Sequence, residues 1–277
     1  MARPMTRSFH HYPCGEDTLG ATLDSGSETT ALLIVSGGNE IRSGAHSGMA
    51  QLALQVSEQG FPVLRYDRRG IGESTGHNDE FLGSAKEIAV AVRFFREQQP
   101  QIKTILAFGN CDAATSLALF GPDAGVDGYI LANPWVIETD NEPETEAAVP
   151  SAAAIRSRYW DRIKNPKTII DLFSGKIDLK KLLKGLRQAS RSEENSGLSL
   201  RLRDALVALN GRADLLLAKR DTTARAFLAA WNSKDFEALR RQSSISVETL
   251  DSASHSFADV EAKNWLTQKL LERLRSV

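Results

Sequence analysis

Thr104-Ile105-Leu106-Ala107-Phe108-Gly109-Asn110-Cys111-Asp112-Ala113-Ala114 reads as a short apolar strand, a sharp turn and the opening of a helix. A strand that turns abruptly into a helix projects the residue at its apex. Small residues two positions to either side let the two backbones approach each other. Gly109 and Ala113 meet that requirement around Cys111. The pattern is the nucleophile elbow G-x-S-x-G, with sulfur in place of oxygen and alanine in place of the last glycine. A thiol at a helix N-terminus loses its proton more readily than a hydroxyl, so the exchange alters the chemistry as well as the motif.

Strand-like and helix-like segments alternate on both sides of this turn. Short aliphatic or β-branched runs fall at 31–35, 62–66, 104–108, 128–132, 213–218 and 246–250. Amphipathic stretches lie between them at 46–59, 84–98, 112–120, 222–231 and 258–274. The alternation predicts an α/β fold with a mostly parallel sheet and helices on both faces. Residues 8–23 are expected to add antiparallel strands at one edge.

One segment breaks the rhythm. From 138 to 200 an acidic stretch (Glu138, Asp140, Glu142, Glu144, Glu146) precedes helical, basic patterns such as Arg156-Ser157-Arg158-Tyr159-Trp160-Asp161-Arg162. It predicts a helical cap inserted into a single domain spanning 1–277, with a loop at 191–197 inside it. A cap above the carboxyl ends of the strands would shape and dry a substrate pocket.

The chain has 277 residues, 42% hydrophobic and 25% charged, with a net charge of −1. That balance argues against nucleic acid or an anionic membrane as partner. No apolar run approaches the ~18 residues of a membrane span. No apolar segment follows the arginines of Met1-Ala2-Arg3-Pro4-Met5-Thr6-Arg7, so a secretory signal is not expected and the location is read as cytoplasmic. In that reducing compartment the two cysteines, Cys14 and Cys111, are expected to stay unpaired.

A cysteine nucleophile needs a base, and the base needs an orienting acid, in the chain order nucleophile, acid, histidine. Of five histidines only His255 follows the elbow, between the last strand and the C-terminal helix. Asp221 follows the strand at 213–218 and is the expected acid. The same residue is a natural N-cap for the helix at 222–231, and one side chain is not expected to serve both roles fully. Asp214 is the fallback, and Asp251 lies too near His255 in the chain. Oxyanion donors are expected from the N–H of Asp112 at the helix start and from Gly38, or else Asn39, in the glycine-rich turn Ser36-Gly37-Gly38-Asn39. That turn lacks the Lys-Ser/Thr of a phosphate loop. Asp67, Arg68 and Arg69, after the strand at 62–66, are read as a structural ion-pair and turn network. Histidines and cysteines lack metal-ligand spacing, so neither a metal nor another cofactor is expected.

Together the loop Asp67-Arg68-Arg69-Gly70-Ile71-Gly72-Glu73-Ser74-Thr75-Gly76, the elbow and the late histidine resemble the α/β-hydrolase superfamily over essentially the whole chain. More narrowly, Phe108–Ala114, Leu131-Ala132-Asn133-Pro134-Trp135-Val136, Asp221-Thr222-Thr223-Ala224-Arg225-Ala226-Phe227 and Gly37–His46 resemble the exosortase A system-associated hydrolase, type 1. That bacterial family accompanies PEP-CTERM protein sorting and exopolysaccharide production. The resemblance implies a cytoplasmic hydrolase with a Cys111–His255–Asp221 triad. Two departures stand out. The family's D-A-D-H-T-F around the histidine is here Ser252-Ala253-Ser254-His255-Ser256-Phe257, and Asn110 replaces an apolar residue. Fewer carboxylates beside His255 make its field less negative.

Arg42 and His46 also match family positions. Arg42 is expected either to hold an anionic group of the substrate or to form a salt bridge with Glu40 or Glu73. The reaction expected is hydrolysis of a small-molecule ester or thioester through an acyl-Cys111. The alternatives are transfer of that acyl group to an amine or alcohol, and binding of an acyl or polymer ligand without turnover.

Overall fold

The computed structural model describes residues 6–137 and 197–277. Eight strands form one sheet in the order β1-β2-β4-β3-β5-β6-β7-β8. They are β1 Arg7–Cys14, β2 Asp17–Asp24, β3 Thr30–Val35, β4 Val63–Tyr66, β5 Thr104–Asn110, β6 Gly128–Ala132, β7 Ala213–Ala218 and β8 Ile245–Leu250. β1 and β2 run antiparallel at one edge, with β2 antiparallel to β4. From β4 to β8 every pairing is parallel. The expected mostly parallel sheet with an antiparallel edge is therefore the fold observed.

Alternate side chains of the central strands feed opposite faces, as the two-residue pleat requires. Ala31, Leu33 and Val35 of β3 join Ile105 and Ala107 of β5 in one core. Leu32 and Ile34 join Leu106 and Phe108 in the other. The first face is covered by α2 (Ala85–Gln98), α3 (Asp112–Ala124), α4 (Gly197–Val207) and α5 (Thr222–Trp231), through Ile88, Phe95, Leu117, Leu202 and Phe227. The second is covered by α1 (Gly48–Ser57) and α6 (Val260–Arg275), through Leu52, Val56, Leu266 and Leu270. Both sides of the sheet are dry, which explains why these strands read as continuous apolar runs.

The site's position follows from topology. The connection from β3 leads through α1 to β4 on one side of β3. The connection from β4 returns through α2 to β5 on the other side. The loops after β3 and β5 therefore diverge at a switch point in strand order, where a crevice opens at the carboxyl ends of the strands.

Two expectations about elements change. Helix α3 runs on to Ala124 through Pro122, beyond the expected end at 120. Gly121 before the proline has no Cβ to clash with the ring, so the turn stays helical; a Cβ there would meet Tyr129 Cε1 at 2.6 Å. The helix expected to open at His46 opens at Gly48, because His46 and Ser47 adopt positive φ of 51° and 57°. The expected cap at 138–200 and its loop at 191–197 lie outside the described residues except for 197–200. Those four residues belong to α4, which packs Leu202 and Leu206 into the sheet core beside α3. Among the described residues, no helix is long and apolar enough to cross a membrane.

Candidate active site

Cys111 stands between the end of β5 and the first residue of α3, with φ 63° and ψ −126°. A non-glycine residue there costs about 1–3 kcal/mol and persists only where its surroundings enforce it. The enforcement is visible. Cys111 N–H donates to Ala132 O at 2.9 Å, and Trp135 N–H donates to Cys111 O at 3.2 Å. Strand and helix touch at Gly109, where a Cβ would lie 2.7 Å from the carbonyl carbon of Ala113. Both cysteines are free, Cys14 being buried in β1.

Asp221, His255 and Cys111 come together. Asp221 Oδ2 lies 3.1 Å from His255 Nδ1. The same oxygen accepts the main-chain N–H groups of Thr223 and Ala224, each at 3.0 Å. One carboxylate thus serves as N-cap of α5 and as partner of the imidazole, against the expectation that the roles compete. They are compatible because the first-turn N–H groups and the imidazole approach the same oxygen together. Burial raises the Asp221 pKa, but the hydrogen bond from His255, the Ala224 N–H, the charge of His255 and the Thr223 N–H together hold it below the usual carboxylate range.

His255 is held in its charged form. Its hydrogen bond to Asp221, and next its hydrogen bond to Cys111, push its pKa up to about 10 against the opposing effect of burial. The serines standing where the family pattern has carboxylates build the loop instead. Ser252 Oγ donates to Asp259 Oδ2 at 3.2 Å and accepts from Ser254 N–H at 3.0 Å. Ser254 Oγ accepts from Ala258 N–H at 2.7 Å. The fallback acid Asp214 and the set-aside Asp251 are engaged elsewhere. Asp214 accepts from Arg212 Nε at 2.9 Å and pairs with Arg273 Nε at 3.0 Å, while Asp251 pairs with Arg220 at 3.0 Å.

The oxyanion donors divide. Asp112 is the first residue of α3, where N–H groups have no partner within the helix. Gly38, expected as the second donor, instead gives its N–H to Asp112 Oδ1 at 2.7 Å. The reason is steric and electrostatic: Gly37 lies so close to the elbow that a Cβ would fall 2.5 Å from Asn110 O and 2.7 Å from Asp112 Oδ1. The buried Arg68, 3.5 Å from Asp112 Oδ2, flanks the same carboxylate. Asn39 Oδ1 accepts from Asn78 Nδ2 at 2.9 Å, and no hydrogen bond of its N–H is formed among the described residues.

Arg42 is a structural cation in this conformation. Its Nε donates to Thr22 Oγ1 at 2.9 Å, its Nη1 to Asp67 Oδ2, and its Nη2 to Glu73 Oε2 at 2.5 Å. The fully buried Asp67 needs that counter-charge, and the pair with Glu73 is the salt bridge expected as the alternative to anion holding; Asp67 was not foreseen as a partner. Asp67 also accepts from Glu73 N–H at 3.0 Å across Gly72, whose φ is +57° and where a Cβ would strike Asp67 Oδ2 at 2.3 Å. Arg69 donates to Glu87 Oε1 at 2.9 Å and lies 3.0 Å from Asp79. The expected ion-pair and turn network is present in this loop. His46 is exposed and lines a hollow with Met49, Phe257 and Leu266, without a hydrogen bond to the triad. Among the described residues, no group of three or more His, Cys, Asp or Glu could hold a metal ion.

Two residues escaped the sequence reading: Asn133, fully buried after β6, and Asn110 as its partner. Asn133 Nδ2 donates to Asn110 Oδ1 and to His255 O, each at 3.1 Å. The available signal was a polar Asn-Pro pair directly after the apolar run at 128–132.

This sheet, with its elbow at the switch point and its histidine on the loop after β8, defines an α/β-hydrolase fold. The chain belongs to the family described as Serine aminopeptidase, S33, which it matches over residues 27–274. The apex of its elbow carries Cys111 where that description names a serine. Among curated proteins, none matches the sequence. Solved structures share the fold. An esterase from Pyrococcus furiosus is 13% identical with a TM-score of 0.65, over 98% of this chain and 90% of that one. A dienelactone hydrolase from Anabaena variabilis is 11% identical with a TM-score of 0.61, over 98% and 97%. The thioesterase domain of the curacin biosynthetic pathway is 12% identical with a TM-score of 0.58, over 97% and 100%.

Proposed function

We propose that this chain hydrolyses a small-molecule ester or thioester through an acyl-cysteine intermediate on Cys111. The observation that carries the reading is His255, paired with Asp221 at 3.1 Å and near enough to Cys111 for the two side chains to interact. With the imidazole charged, the thiolate attacks the acyl carbonyl, and the N–H of Asp112 receives the oxyanion. The N–H of Asn39 is a second donor, or that of Gly38 once the Asp112 carboxylate leaves it. The imidazolium gives its proton to the departing alcohol or thiol. Neutral His255 then takes a proton from water as the water attacks the acyl-cysteine, releasing the acid and restoring the pair. The family membership and the esterase and thioesterase neighbours support this chemistry.

Within the same proposal the reaction runs in the cytoplasm beside exopolysaccharide production and protein sorting, a reading supported by the resemblance to the exosortase-associated hydrolases. Intact-protein mass after mixing with short acyl thioesters and aryl esters, alongside Cys111→Ala, tests the chemistry. An acyl adduct present only with Cys111, decaying as free acid appears, is the expected result. An adduct that persists until an amine or alcohol is added would make the protein an acyltransferase. No Cys111-dependent adduct across the panel would overturn the reading.

A further inference from the structure

The donors of two amide side chains converge on one atom, the main-chain carbonyl oxygen of His255. Asn110 Nδ2 and Asn133 Nδ2 each lie 3.1 Å from it. The direction of the network is fixed from one end. Asn133 Oδ1 accepts from Ala218 N–H at 2.9 Å, and a main-chain N–H can only donate. Asn133 Nδ2 must therefore face the opposite way, toward Asn110 Oδ1 and His255 O. Asn110 Oδ1 is thereby committed as an acceptor, which turns its Nδ2 toward His255 O as well. Asn133 is itself anchored. It is fully buried, gives its N–H to Leu216 O at 3.0 Å, and has φ 41°, a left-handed conformation that asparagine tolerates better than most residues.

We propose that Asn110 and Asn133 are positioning residues for the base. They tie the main chain of His255 to the strand end that carries the nucleophile, keeping the imidazole between Cys111 and Asp221. The inference rests on the proposed roles of those three residues. His255 sits on a loop beyond β8, followed by Phe257 at φ 52°. The serine side-chain hydrogen bonds of that loop are local, and its main-chain tie, Arg220 N–H to Ser252 O at 2.8 Å, runs to the turn after β7 and leaves its place above β5 unfixed. The amide pair supplies what they lack. Satisfying a carbonyl takes one donor; two donors, from the ends of β5 and β6, also fix its direction. A catalytic ring has to be held within about 0.5 Å of its working position, and the support that achieves this comes from such neighbours. The polar residue at position 110, out of place in the family pattern, thereby acquires a function.

The test is the pH dependence of Cys111 alkylation by iodoacetamide, with the modified peptide located by mass, in a double-mutant cycle. Asn110→Leu is expected to move the alkylation midpoint upward by about one pH unit, a tenfold loss in the thiolate–imidazolium pair. His255→Ala is expected to move it further. In the His255→Ala background, Asn110→Leu is expected to have no added effect, since a positioning residue acts only through the residue it positions. Equal shifts in both backgrounds, or no shift in either, would overturn the inference. Should Asn110→Leu fail to fold, Asn110→Ser, too short to reach the His255 carbonyl, reads the same quantity. If His255→Ala alone leaves the midpoint unmoved, the triad reading fails, and this inference fails with it.

Discussion

Asp221 shows how much one side chain can carry. Its Oδ2 accepts two first-turn N–H groups of α5 and the imidazole of His255, so helix cap and imidazole partner are physically the same charge. The two contributions separate by substitution. Asn at 221 keeps an acceptor for Thr223 and Ala224 but removes the charge that steadies the imidazolium. Asp221→Asn should lower the acylation rate by roughly 10³–10⁴ while leaving the thermal midpoint close to the parent's. Asp221→Ala loses the cap as well and should destabilise by about a further 1 kcal/mol, visible as a lower urea midpoint. Equal destabilisation by both variants would mean that the charge, and not the cap, supports α5. Cys111→Ser makes the matching case for the nucleophile. An imidazolium poised for a thiolate is a poor base for a hydroxyl, so ester turnover should fall by about 10² or more. Near-parental rates in that variant would show the sulfur to be incidental.

The elbow was legible in the sequence because its parts impose different local constraints. An apolar run marks β5, Gly109 marks the close approach, and the small residues after Cys111 mark the packed start of α3. The approach predicts a cost. A valine at 109 would drive its side chain into the Ala113 carbonyl, and Gly109→Val should lower stability by about 1–3 kcal/mol or more in urea unfolding. Gly38→Ala meets open space at its Cβ and suffers only from its φ of +55°, so it should be the milder of the two. The central strands were legible for the same reason, being buried on both faces. What stayed hidden depends on side chains meeting across long sequence separations. Nothing local to Gly38 announces that Asp112, many residues later, will take its N–H. Arg42 meets Glu73, one of the partners the sequence offered, but Asp67 stayed hidden because its burial is a property of the folded sheet. Asn133 falls between these cases: its Asn-Pro step was visible, but the three strand ends it joins were not.

Across the described residues, charge is used to fasten loops to the carboxyl end of the sheet. Arg42 joins the loop after β3 to the loop after β4 through Asp67, and Arg68 joins the latter to the elbow through Asp112. His255 joins the loop after β8 to the start of α5 through Asp221. These last two groups titrate in opposite directions, which sets a window. The raised pKa of His255 means that its contribution to stability is complete below the ordinary histidine range and lost as pH climbs to about 10. The lowered pKa of Asp221 means that its contribution is present above the ordinary carboxylate range and lost as pH falls through the lowered value. The imidazole is 43% exposed, so solvent screens the pair and its effect on unfolding should be small. Catalysis should report it more sharply. Above a pH of about 10 the imidazole is neutral and cannot protonate a leaving group, whereas attack by the Cys111 sulfur does not need that proton. Acylation by alkyl esters, whose alcohols need that proton, should therefore decline near this pH, while alkylation of Cys111 by iodoacetamide should not. Parallel decline of both rates would trace the loss to unfolding, and decline of neither would remove His255 as the proton donor.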